Sequence, residues 1–64
     1  MNANPADFIG LSKFGGQNLA ESKNLIFRLI KIDGEDYMDY PEDVRTDRVC
    51  VEIMDGKIFK AAIQ

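Results

Sequence analysis

Apolar and polar positions change rhythm along this chain, and each change marks an element. Gly15, Gly16, Leu19 and Ala20 fall on one side of a helical repeat, with Ser12 placed to cap a helix that runs to about Lys23. Asn24, followed by the apolar Leu25, is a suitable left-handed stop. Two glycines inside that helix each cost about 1 kcal/mol relative to Ala, and Asn18 to Glu21 offers a competing start with capping-box spacing. The longer helix is favoured because small residues on one face let it approach a sheet closely. Ile26 to Ile32 is rich in β-branched and aromatic residues and ends at Asp33-Gly34, which reads as a strand closed by a turn. In Arg48 to Met54 the apolar Val49, Val51 and Ile53 alternate with Arg48, Cys50 and Glu52, the pattern of a half-buried strand whose apolar side faces the helix. Asp55-Gly56 is a tight hairpin signal, and Lys57 to Ile63 returns as a third strand.

The stretch from Tyr40 to Arg48 keeps neither rhythm. It is too short and too charged for a helix crossing between strands. Pro41 biases Tyr40 toward an extended conformation, and Val44 is the lone aliphatic residue. It therefore reads as an exposed, extended loop. Glu42 and Asp43 precede Arg45 and Arg48, so a loop carboxylate is expected to be held by a guanidinium from the strand that follows. The order of elements predicts an α+β fold: a single helix packed on a small mixed β-sheet, with a long extended loop joining two parallel strands and a C-terminal β-hairpin. Residues 1–7 are expected to form a flexible N-terminal arm punctuated by Asn4-Pro5, and residues 8–64 one domain whose core begins at Phe8 and Ile9.

Composition narrows the function classes. A chain of 64 residues buries only about 60% of its unfolded surface, so its stability is marginal. One cysteine and no histidine leave neither an internal disulfide nor a usual zinc site. The net charge of −3, with scattered basic residues, provides no stripe that would track a phosphate backbone, so no nucleic-acid partner is expected. Neither a secretory signal nor an apolar run of about 20 residues is visible, and with a single thiol the expected location is cytoplasmic, without a membrane partner. Six acids, from Asp33 to Asp43, lie within eleven residues that hold no base, but their spacing is not that of a calcium loop. They read as a solvated face or, with Tyr37, Met38 and Tyr40 among them, as an epitope for a basic protein. No metal, cofactor or catalytic residue is assigned; with no base beside a nucleophile, the chain is not expected to be an enzyme. Cys50 reads as a small apolar residue, and a monomer is expected.

The segment Asp43-Val44-Arg45-Thr46-Asp47-Arg48-Val49, with Pro41 ahead of it, resembles the potato inhibitor I family of serine-protease inhibitors, the barley chymotrypsin inhibitor and eglin type, and most closely its small bacterial relatives. In that family a segment of the form Thr-x-Asp/Glu-x-Arg-x-Asp/Asn-Arg-Val/Leu joins the reactive loop to the next strand. Phe8 to Ser12, Leu19 to Ser22, Phe27 to Leu29 with Asp33-Gly34, and Asp55 to Lys57 extend the resemblance over the chain from Phe8 onward. It implies a single inhibitor-like domain over residues 8–64. Its reactive loop, Tyr40, Pro41, Glu42, Asp43, Val44 and Arg45, would enter a protease cleft as a substrate does, be cut slowly and be rejoined. By the same resemblance the scissile bond is Glu42-Asp43, Glu42 fills the primary specificity pocket, and Arg48 grips Asp43 from beneath the loop. A loop already ordered does not lose that freedom on binding. The partner implied is a serine protease, and a glutamate-preferring one suits Glu42, because an apolar pocket rejects a buried charge. The family usually carries Thr where Pro41 stands, its plant members and eglin carry a second supporting arginine where this chain has Cys50, and the stretch from Gly34 to Pro41 is a residue longer here. The alternative is a non-inhibitory interaction module that docks a basic partner through the acidic loop 33–43.

Overall fold

Asn4 opens the described part of the chain, residues 4–64 of this computed structural model. Its side-chain oxygen accepts the Ala6 amide at 3.0 Å, and Pro5, which has no amide hydrogen to leave unpaired, starts a 3-10 helix over Pro5–Phe8. Part of the arm expected over residues 1–7 is therefore regular, while residues 1–3 lie outside the described residues. The turn delivers Phe8 into the core, fully buried. Just beyond it, Gly10 donates to the Ile58 carbonyl and Ile58 to the Leu11 carbonyl, each at 2.8 Å, which stitches this segment to the last strand.

Helix α1 spans Lys13–Ser22. Ser12 caps it, accepting the Gly15 amide at 3.0 Å, and Asn24 leaves it with φ of 58°. The longer of the two candidate helices is the one that forms. Its buried residues are Gly16 and Ala20. A Cβ on Gly16 would lie 2.5 Å from Ile58 Cδ1 and 3.3 Å from Phe27 Cε1, so a glycine is what lets the helix sit this close to the sheet. Gly15 does not share that contact; its nearest neighbours are Ser12 and Leu11.

The sheet contains β1 (Ile26–Ile32), β2 (Glu35–Asp36), β3 (Arg48–Met54) and β4 (Lys57–Ile63), in the order β2-β1-β3-β4. β1 and β3 run parallel, and the two outer pairs are antiparallel. The fold is thus the expected α+β arrangement, with one helix on a mixed sheet and a C-terminal hairpin. The short strand β2 is an addition to it. Asp33 and Gly34 (φ 51° and 80°) repeat the left-handed pair at Asp55 and Gly56 (φ 52° and 77°), so both Asp-Gly turns close two-residue hairpins. β2 ends at once because the chain turns away, with Tyr37 and Met38 both donating to the Ile30 carbonyl.

Register separates the two faces. Phe27, Val49 and Ile63 are neighbours across β1, β3 and β4, as are Leu29, Val51 and Ala61, and these pack with Phe8 and Ala20 on the helix side. Arg28, Cys50 and Ala62 form a row on the opposite face, followed by Lys31, Glu52 and Lys60. Strand β3 departs from the half-buried strand its alternation predicts: every residue from Arg48 to Ile53 is buried. The helix covers its apolar side, and the loop between β2 and β3 folds over its polar side. Among the described residues no helix is long and apolar enough to cross a membrane.

Candidate functional site

The loop from Tyr37 to Asp47 contains no helix or strand, yet it is tied to the sheet at successive points. Arg28 on β1 donates from Nε and Nη2 to the Asp39 carbonyl at 3.1 and 2.7 Å. The Tyr40 hydroxyl donates to Glu52 Oε2 on β3. Lys60 on β4 stands 3.5 Å from the same carboxylate oxygen and 5.5 Å from the centroid of the Tyr40 ring. Arg48, at the start of β3, donates from Nη2 to Asp43 Oδ1 at 3.1 Å and from Nε to the Gln64 carbonyl at 2.8 Å. Where the loop rejoins the sheet, Arg45 makes a two-pronged pair with Asp47, each contact 2.7 Å, and the Asp47 carbonyl accepts the Ile26 amide.

These contacts set the protonation of the acids. The hydrogen bond from Arg48 holds the Asp43 carboxyl below its ordinary value, and that from Arg45 does the same for Asp47. Glu52, only 8% exposed, is likewise held down, first by the Tyr40 hydroxyl and then by Lys60. Burial, reinforced by the bond to Glu52, pushes the Tyr40 phenol up. Among the described residues no buried side-chain nitrogen or oxygen lacks a partner.

The expected loop residues therefore divide by what they offer to solvent. Glu42 is exposed and Val44 is 86% exposed, so both side chains point away from the sheet. Asp43 and Arg45 are engaged in ion pairs, Pro41 is half-buried, and Tyr40 is turned down onto the sheet. Asp43 and Arg48 lie together as the charge order of the loop anticipates. Arg28, Glu52 and Lys60 were not among the residues singled out from the sequence, although they tie the first limb of the loop. Their signal was the polar side of the strand alternation, Arg28 in β1 and Glu52 in β3, which announces a second face without naming what covers it.

Cys50 is fully buried beneath this loop, beside Arg28 in the register and 3.8 Å from the Gln64 carbonyl. Burial pushes its thiol up, which keeps it protonated and unreactive at neutral pH. Asp33 accepts the Asp55 amide at 2.9 Å, which ties the two Asp-Gly turns together. Among the described residues no three acids, cysteines or histidines converge as a metal-ligand set, and no pocket is enclosed. Of the described residues 40–45, Glu42 and Val44 are those whose side chains are left exposed and without a partner contact. No protein-family model matches the chain, and no curated protein or solved structure matches it either.

Proposed function

We propose that the chain is a serine-protease inhibitor-like protein whose loop 40–45 occupies a protease cleft in the manner of a substrate, with Glu42-Asp43 as the scissile bond. One observation carries this reading: an exposed peptide bond sits between two tied points, with Tyr40 anchored before it and Asp43 gripped after it. A peptide that is already tied down on both sides gives up little freedom on binding. Glu42, exposed between the two tied points, is the side chain offered to a primary pocket, and its charge suits a pocket that carries basic or hydrogen-bonding groups. Val44 follows as an apolar contact on the leaving-group side.

The test is titration against subtilisin-like, chymotrypsin-like and glutamate-specific serine proteases, with mass spectrometry to locate any cut. The expected result is tight inhibition of the glutamate-specific enzyme with slow, reversible cleavage between Glu42 and Asp43. Rapid digestion of the loop, or no inhibition in any class, would remove the proposal. A second reading has its own support: Tyr37 and Met38 are 56% and 49% exposed beside the exposed acids Glu35 and Asp36, a mixed acidic and aromatic surface suited to a basic partner protein. Binding through that surface would weaken steeply with added salt and would survive Glu42→Ala, which abolishes docking in a glutamate pocket.

A further inference from the structure

We propose that Arg28, Tyr40 and Glu52 are positioning residues for the acyl side of the loop, holding the chain before the Glu42-Asp43 bond as Arg48 holds the chain after it. The proposal rests on the inhibitor reading of the same loop and adds which residues govern rejoining. Arg48 acts on Asp43, the residue whose nitrogen leaves when the bond is cut. It does nothing for the other new end. That end is fixed by separate groups on three strands: Arg28 of β1 on the Asp39 carbonyl, Glu52 of β3 on the Tyr40 hydroxyl, and Lys60 of β4 beside both Glu52 and the Tyr40 ring.

Geometry limits how far a cut end can wander. Beyond Tyr40 only Pro41 and Glu42 precede the bond, and the proline ring removes one of the few soft torsions in that span. In the acyl-enzyme, the Glu42 carbonyl carbon is esterified to the protease serine and the Asp43 amine is free. Rejoining requires that amine to attack the carbonyl carbon. The ester C–O bond then breaks, and the amine's proton returns to the serine oxygen through the protease's own base. With Tyr40 and Asp43 both fastened to one sheet, amine and acyl group remain side by side, and the step is effectively intramolecular. Without the first fastening the acyl limb swings away and water competes.

The first measurement needs no protease. Backbone 15N relaxation of the free protein should give order parameters near the rigid value of about 0.85 at Asp39, Tyr40, Glu42 and Asp43, falling below about 0.6 at Asp39, Tyr40 and Glu42 in Tyr40→Phe and Arg28→Met, with the sheet unchanged. Unaltered order in both variants would overturn the proposal. The second is the ratio of intact to cut protein at equilibrium with a glutamate-specific protease, approached from both sides. It should fall about tenfold in each variant, the effect of roughly one charge-assisted hydrogen bond, and recover in part in Arg28→Lys. A ratio that does not move while the loop loosens would overturn the resealing role. Absence of inhibition by the unmodified chain would instead overturn the inhibitor reading and the resealing role together, and relaxation would still decide whether the tether exists.

Discussion

Glu52 sits on an interior strand, β3, at 8% exposure and remains a charged acid because two donors face it, the Tyr40 hydroxyl and the Lys60 ammonium. An unpaired carboxylate in that position would be costly to bury; paired, it becomes the fixed point for the loop's first limb. The same logic makes the loop sensitive to pH in two directions. Asp43 and Glu52 have folded values below their unfolded ones, so their contributions are present above the ordinary carboxylate range and are lost as pH falls through the folded values. On acidification the Arg48 to Asp43 tie should therefore persist below pH of about 4, the ordinary aspartate value, and then release. An NMR titration of the Asp43 carboxyl would show this, and a midpoint at or above that value would contradict it. Tyr40 has a folded value above its unfolded one, so its contribution is complete below the ordinary phenol value of about 10 and is lost as pH rises through the folded value. Absorbance titration, with Tyr40→Phe identifying the step, should place this phenol above that of a free tyrosine.

Among the elements, α1 shows how one residue sets the distance between two layers. Helix propensity alone favours Ala over Gly by about 1 kcal/mol, yet Gly16 has Ile58 and Phe27 where a methyl group would go, and Ile58 is itself buried. Gly16→Ala should lower stability by about 1 kcal/mol, the strain of overpacking exceeding the gain in propensity. Gly15→Ala, whose nearest neighbours are only Ser12 and Leu11, should cost less. Urea unfolding of the two variants decides this, and equal costs would show that the tight approach at Gly16 carries no strain. Strand β3 makes a related point about layers. Its alternation is that of a strand with one wet face, but the loop takes the place of water over Arg48, Cys50 and Glu52. The loop thus acts as a third layer, and Tyr40 and Asp43 on it partner Glu52 and Arg48, while the Gln64 carbonyl takes Arg48 Nε and lies near Cys50.

At the scale of the whole molecule, the core is small enough for one residue to matter to all of it. Phe8 lies outside every strand and the main helix, yet it is fully buried within the cluster of Val49, Val51, Ile53 and Ile58. Phe8→Ala should cost about 3–5 kcal/mol, a large share of the stability of about 3–10 kcal/mol available to a chain of this length. Thermal denaturation should show a Tm lowered by well over 10 °C or no cooperative transition at all; a small shift would mean that the site collapses around the cavity. How much of this was legible beforehand follows from the range of the interactions. Helix α1, strands β1, β3 and β4, the Asp55-Gly56 turn and the exposed loop could be read directly, because caps, periodicity and turn chemistry act between residues a few positions apart. The Asp43 to Arg48 tie, five residues apart, was still within that reach. The ties of Arg28 to Asp39 and Tyr40 to Glu52 span eleven and twelve residues and join a loop to two different strands, so they exist only once the parallel pairing of β1 with β3 has set those strands side by side. Local chemistry along the chain thus specifies the elements and their order, whereas the turn of Tyr40 down onto the sheet arises only in the folded molecule, since a side chain's partner across a sheet is chosen by register and loop path rather than by its neighbours in the chain.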